Sequence, residues 1–295
     1  GGGGGSYGYS NSHQGGGGSG VVIVSYDSGS FNGIGGHESD AGSGKKAHKF
    51  GSSGTFNIGA STDFQIVTDD LIAHYDFANA ATWDGSASTI TDLTGNYDLA
   101  INSSPTLDFT HGGGLSLDGV DDYAYKTGIS IRPYMVEIWL TSDIAIDAGT
   151  YTDGNYAIPL GIGNYPGGFT FGTYTGAMTN ETIGFWSNNW TSGGASYIRD
   201  TFSAGTYQIV ANWDGSSAWE IWVNGSKKTT YGSTYGHSQG PTAGSARDTI
   251  YIGREDGSQS YEFGGRVHNV KLYDAQKTDA DVTQNWNALR KRFGL

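Results

Sequence analysis

Residues 207–225 read YQIVANWDGSSAWEIWVNG. Apolar and polar side chains alternate along Thr206–Trp213 and again along Trp219–Val223, the period of a strand with one buried face. Asp214-Gly215-Ser216-Ser217 supplies a turn between them, and Asn224-Gly225 supplies a second turn. This strand, turn, strand, turn pattern is the texture of the whole chain downstream of Asp70. Short apolar-aromatic runs separated by turn clusters predict further strands at Leu71–Phe77, Leu115–Leu117, Tyr123–Tyr125, Val136–Leu140, Phe169–Tyr174, Thr182–Trp186, Thr249–Gly253 and Gly265–Tyr273. Many short strands at even spacing predict an all-β, antiparallel sandwich.

Composition agrees. The 295 residues include 50 glycines and 5 prolines, and 13% are aromatic. Glycine is well over twice its usual share of about 7%, as tight turns require. The formal net charge is −13, which repels phosphate backbones and argues against a nucleic-acid partner. Of the 29 acids only 6 are Glu. Aspartate favours turns and hard-cation sites, whereas glutamate favours helices. Cysteine is absent, so disulfides and thiolate chemistry are excluded. No apolar run approaches the ~20 residues of a membrane span, and nothing resembles a signal peptide. The chain begins on Gly1 without an initiator methionine, and we expect it to be the C-terminal part of a longer protein.

One helix is predicted, over 278–293. Thr278 and Asp281 have capping-box spacing, and Val282, Trp286, Leu289 and Phe293 form one apolar stripe. The expectation is that it lids the sandwich; a partner-binding helix is the alternative.

The first 67 residues differ in texture. Eleven of the first twenty are glycine. Val21–Tyr26 reads as a buried strand, 27–46 as loop, and Ala47–Phe50 with Thr55–Ile58 as a hairpin about Gly51–Gly54, with Phe56 and Ile58 on one face.

Several segments together resemble the laminin-G-like, concanavalin A-like jelly roll. Leu71-Ile-Ala-His-Tyr-Asp-Phe77 with Thr91-Asp-Leu-Thr-Gly-Asn96 resembles that family's first strand and turn. Leu115-Ser-Leu-Asp-Gly-Val-Asp-Asp-Tyr123, the Trp213-Asp-Gly215 to Gly225 hairpin, and Ile250–Arg254 followed by Phe263–Tyr273 resemble later motifs in the family's order. The expected division is 1–67, a glycine-rich β module that anchors and oligomerises, and 68–295, the jelly roll with its closing helix. The glycine tract with His48-Lys-Phe-Gly-Ser-Ser-Gly-Thr-Phe56 is similar to glycine-rich modules of bacteriophage tail-fibre and adhesin proteins. Packed glycine strands would make 1–20 an ordered assembly element; a flexible linker is the alternative.

Some relatives on this fold hydrolyse polysaccharides with two Glu flanking an Asp on one strand. No pair among Glu38, Glu137, Glu181, Glu220, Glu255 and Glu262 has that spacing, and Glu137 reads as solvent-facing. No zinc-type histidine pair, G-x-S-x-G elbow or phosphate-binding loop is present. We expect no enzymatic activity. Calcium is the candidate cofactor, held at the rim as the resemblance implies by Asp118, Asp121 and Asp122, with Asp92 and Asn96 in a second turn. Plain aspartate turns are the alternative. Trp186, Asn188, Asn189 and Trp190 offer two indoles to stack on sugar rings and two amides to bond hydroxyls, and Tyr231, Tyr235 and His237 form a second cluster. Core capping or a subunit contact is the alternative.

The expectation is a non-enzymatic structural or adhesive protein on a virion surface, a tail fibre or capsid decoration. Its partners would be copies of itself, other virion proteins and host surface glycans, with no membrane insertion. An extracellular filament or surface-layer subunit of a microbe is the alternative. A hydrolase requires carboxylates distant in sequence to converge.

Overall fold

The computed structural model describes residues 21–28, 32–51, 56–59, 64–109, 113–143, 157–163, 168–171, 183–186, 195–198, 203–216, 218–232, 241, 246–255 and 261–295. Two antiparallel sheets form the body. The first runs, in spatial order, Ser226–Lys227, Trp219–Val223, Gly205–Trp213, Met135–Ser142, Gly264–Tyr273, Gly114–Asp118 and Thr106–Asp108. Leu71–Asp76 pairs with the second half of Gly264–Tyr273, so this sheet has eight strands. The second sheet has nine, in the order Tyr231–Gly232, Ala195–Ile198, Ile183–Trp186, Gly168–Phe171, Ala157–Ile162, Arg247–Ile252, Tyr123–Ile131, Leu99–Asn102 and Thr89–Ile90.

Alternation along each strand sends one set of side chains between the sheets. Val136, Ile138 and Leu140 meet Ile209 and Ile221 of the same sheet and Leu160, Phe169 and Ile252 of the other. Burying each such aliphatic side chain is worth about 1.5–3 kcal/mol, which holds the layers together. The predicted strands of 207–225 pair with each other, Ile209 against Val223 and Trp213 against Trp219. The next turn, from Trp219–Val223 to Ser226–Lys227, places Asn224 at φ 50° and Gly225 at φ 71°, the two left-handed residues a type I′ turn demands. A side chain at Gly225 would strike the indole of Trp286, so glycine serves both the turn and the helix packed beside it.

The first sheet is covered on its outer face as well. The helix Asp279–Leu289, continued as a 3₁₀ turn Arg290–Phe293, lies there and has the predicted capping box between Thr278 and Asp281. Trp139, on an outward position of Met135–Ser142, stacks on Trp286 at 5.4 Å and on Phe293 at 4.8 Å. All eight residues of Met135–Ser142 are consequently buried.

The N-terminal residues depart from expectation in three ways. Val22–Asp27 is a strand, but Val21, Val22 and Ile23 are 51–61% exposed and only Tyr26 turns inward. It is the edge of a three-stranded sheet, paired with Lys45–Phe50 and not with a core. The segment 27–46 contains two strands, Asn32–Ile34 and His37–Gly42. Lys45–Phe50 pairs with His37–Gly42, whereas Asn57–Gly59 pairs with Asn32–Ile34, so the predicted hairpin about Gly51–Gly54 does not form. Phe56 packs among the rings of Tyr26, His48 and Phe50, while Ile58 is exposed. These strands hold too few apolar residues to announce themselves; aromatic rings and the surface they dock on select the pairing.

That surface is the outer face of the first sheet. Glu38 exchanges backbone hydrogen bonds with the sandwich, its N–H donating to Ala78 and its carbonyl accepting from Ala80. The Asn57 side chain donates to the Lys291 carbonyl at 2.9 Å, and Ile34 packs on the Trp139 cluster.

Candidate functional site

The predicted acidic turn forms. Ligand oxygens of Asp118, Asp121 and Asp122 lie within 4.8 Å of one another, the first two residues exposed and the third buried. Asp118 Oδ1 accepts from the amides of Val120, Asp121 and Asp122, and those bonds, Val120's foremost, hold its carboxyl below the usual range. Asp122 Oδ1 accepts from the Ser104 amide at 3.0 Å. One oxygen of Asp118 and one of Asp122 thus do turn work, and the set offers only hard oxygen donors, which suit calcium by type. Asp92 is different: it is 1% exposed and its oxygens accept from the amides of His74, Thr94, Asn96 and Tyr97. It is a fastener between strand and turn, saturated by amides.

The aromatic candidates fall largely outside the described residues. Asn188, Asn189, Trp190, Tyr235 and His237 are not among them. Of Trp186 and Tyr231 the backbone is placed: Trp186 ends Ile183–Trp186, paired with Gly168 and Ala195, and Tyr231 pairs with Tyr197.

Glu137 is not solvent-facing. It is fully buried on the outer face of the first sheet, under the helix. Its Oε1 accepts from Lys271 Nζ at 2.8 Å, Trp139 Nε1 at 2.8 Å and Gln208 Nε2 at 3.0 Å, and its Oε2 from Asn285 Nδ2 at 2.7 Å. Burial alone pushes this carboxyl up, but the Lys271 ammonium and these donors outweigh it and keep it ionised. A carboxylate saturated by four donors and closed from solvent is structural.

The concavity richest in chemistry lies where the N-terminal strands meet the sandwich. It is a cleft of about 230 Å³. Its floor comes from adjacent strands in register, His74 and Asp76 of Leu71–Asp76 beside Asn269 of Gly264–Tyr273. Ala73 and Tyr75 alternate with them into the core, so the two polar side chains of LIAHYD share the outer face. Arg292, from the end of the helix, donates to Asp76 Oδ1 at 2.7 Å and to the Gly113 carbonyl at 2.9 Å. Burial would raise the Asp76 carboxyl, yet the Arg292 charge holds it below its ordinary value. Burial, with Lys271 adding to it, pushes His74 down to about 4, so the ring is neutral near pH 7. The Asn269 amide donates to His74 Nε2 at 3.1 Å.

The opposite wall is backbone and three side chains. His48 Nδ1 donates to the Gly35 carbonyl at 2.7 Å, which leaves Nε2 to accept from the Tyr26 hydroxyl at 3.0 Å. Burial lowers its pKa, so this ring is neutral too. At the mouth Lys46 pairs with Glu38 at 2.8 Å, both partly exposed. None of these residues was singled out from sequence as a site. The signal available was polar side chains at outward positions of LIAHYD and VHNVKLY, strands some two hundred residues apart in the chain.

No family model matches the sequence, and no curated protein matches it. Solved structures do. The binding domain of botulinum neurotoxin serotype D is similar over 74% of this chain and 51% of its own, at 11% identity and a TM-score of 0.51. That of serotype D/C VPI 5993 covers 75% and 52% at 13% identity and 0.50, and the receptor binding domain of the C/D mosaic serotype covers 75% and 51% at 10% identity and 0.50. The likeness is one of fold. The chain spans about half the length of these three binding domains.

Proposed function

We propose that this chain is a non-enzymatic, carbohydrate-binding jelly-roll module carried on the surface of a virus particle, where it decorates or attaches. The observation that carries the binding half is the state of the site's ionisable groups. Asp76 is held ionised by Arg292, Glu137 by Lys271, and both cleft histidines are neutral. Glycoside hydrolysis needs one carboxyl kept protonated as general acid, and Asp76, the carboxyl on the cleft floor, is held in the opposite state. What remains are amides, neutral imidazoles and paired ions, groups that bind hydroxyls without turning a substrate over. One of the similar structures is the receptor binding domain of a botulinum neurotoxin, and attachment is accordingly one task that such a scaffold serves.

The virion setting rests on the glycine-rich N-terminus and its resemblance to tail-fibre modules. The exposed Val21-Val22-Ile23 on an edge strand favours a second reading, a self-associating extracellular subunit, because unpaired apolar edges recruit another chain. Calcium, if bound, takes Asp118, Asp121 and Asp122.

A glycan array probed with the full chain, in calcium and in chelator, tests the proposal. Specific binding is the expected result. Loss on Trp186→Ala with Trp190→Ala would assign it to those two indoles, and loss in chelator would bring in the acidic turn. Absence of binding in both conditions would overturn the carbohydrate reading and leave architecture as the role.

A further inference from the structure

We propose that the cleft between the N-terminal strands and the sandwich binds one small, neutral, polyhydroxylated ligand, a single saccharide ring in size. This rests on the carbohydrate-binding reading and gives it a site built from residues other than Trp186 and Trp190.

Four observations converge. Asn269 is fully buried on the floor, its Nδ2 is committed to His74, and its Oδ1 carries no hydrogen bond among the described residues. A buried acceptor of that kind calls for a donor, and a ligand hydroxyl is one. Charge is balanced within the cleft: Glu38 with Lys46 and Asp76 with Arg292. An ionic ligand would have to displace a partner from one of these pairs, of which Asp76 with Arg292 is largely desolvated, whereas hydroxyls can bond to the pairs from outside. Ile34, Phe64, Ile66 and Leu289 give the same cleft an apolar side, which suits the C–H face of a sugar ring beside its polar edge. Finally, a cleft of about 230 Å³ has room for one sugar ring.

The wall opposite the floor is built to leave that room. Asn32-Gly33-Ile34-Gly35-Gly36 presents three glycines, and Gly36, at φ +66°, lies so close to Phe50 and the Lys49 carbonyl that no side chain fits. Glycine at 36 thus lets this stretch of backbone lie close against Phe50 while it lines the cleft. Because Glu38, Lys46 and His48 come from the N-terminal strands and Asp76, Asn269 and Arg292 from the sandwich and its helix, the site exists only when the two are docked. A bound ligand bridges them.

The test uses the full chain and free monosaccharides, glucose, galactose and N-acetylglucosamine, with glycerol, acetate and phosphate as controls of size and charge. Calorimetry and the histidine ring resonances are the readouts. One monosaccharide should bind with a Kd in the millimolar range, the order expected of so few atoms, and should shift the rings of His48 and His74. Glu38→Gln, at the partly exposed mouth, should weaken it about tenfold, as loss of a charge-assisted hydrogen bond does, and Asn269→Leu should abolish it. Thermal melts of each variant accompany the titrations; should Asn269→Leu fail to fold, Glu38→Gln decides. Acetate or phosphate binding more tightly than any sugar would overturn the neutral-ligand assignment. Glycan-array binding with unmoved histidine resonances and an unaffected Glu38→Gln would overturn this site while leaving the carbohydrate reading intact. Absence of sugar binding on the array and in solution would overturn both.

Discussion

The strand Met135–Ser142 sends Val136, Ile138 and Leu140 into the sandwich and Met135, Glu137, Trp139 and Thr141 the other way, and the two sets are buried by different chemistry. Between the sheets the contacts are aliphatic and aromatic, interchangeable in kind and dependent on volume. On the outer face a carboxylate, an ammonium, two amide side chains and an indole N–H saturate one another beneath the helix. The inner face tolerates change in proportion to atoms removed. The outer face is all-or-none, because each member's burial depends on its partners.

The largest expected effect separates the two directly. Lys271→Met leaves the Glu137 carboxylate buried and uncompensated and should destabilise by about 3–5 kcal/mol, while the double variant Glu137→Leu, Lys271→Met should recover most of that loss. On the inner face, Ile138→Ala should cost about 2–5 kcal/mol and no partner substitution should rescue it. Denaturant unfolding of the four proteins decides; a double variant no more stable than Lys271→Met would show that the pair is not the unit of burial.

Acid should act on the outer face next. His74 is held near 4 in the folded chain against about 6.5 unfolded, so between those values the unfolded state binds more protons and stability falls as pH drops. His37 and His48 are lowered as well and act with the same sign. The depressed carboxyls of Asp76 and Glu137 contribute stability above their unfolded values and lose it as acid protonates them. From His74 alone the loss between pH 7 and 4 should be on the order of 2 kcal/mol, below the full value for that shift because the ring touches the solvent of the cleft. Melting temperature followed against pH checks it; a flat profile through this window would show that the histidines keep ordinary protonation, and His74→Gln should remove part of the slope.

The smallest effect comes from the edge strand. Ile23 is apolar and 61% exposed, so Ile23→Lys should leave the unfolding free energy within about 0.5 kcal/mol. If the edge pairs with a second copy, the same substitution should lower the apparent mass in light scattering, which separates the self-associating reading from the adhesive one.

Legibility followed the number of independent cues. YQIVANWDGSSAWEIWVNG carries alternation, turn residues and a left-handed Asn-Gly pair, all local, and its strands and turns were readable. The helix was readable for the same reason, since cap and stripe lie within one segment. Val21–Ile23 misled because β-branched apolar residues mark a strand without saying what covers it. Glu137 misled because alternation says which residues share a face, and a face of a sheet is solvent only if nothing docks on it.

The sequence by itself determined an all-β sandwich with a capped closing helix, the turn at Asp118 and the absence of cysteine thiols. These follow from periodicities and side-chain types within a few residues of one another. Only the tertiary structure decided that the N-terminal strands and the helix cover one face of the first sheet, that Glu137 is an interior ion, and that Glu38, Asp76, Asn269 and Arg292 meet in a cleft. Those facts belong to contacts between residues up to some 250 positions apart, and such contacts are selected by the packing of whole surfaces, which no local pattern encodes.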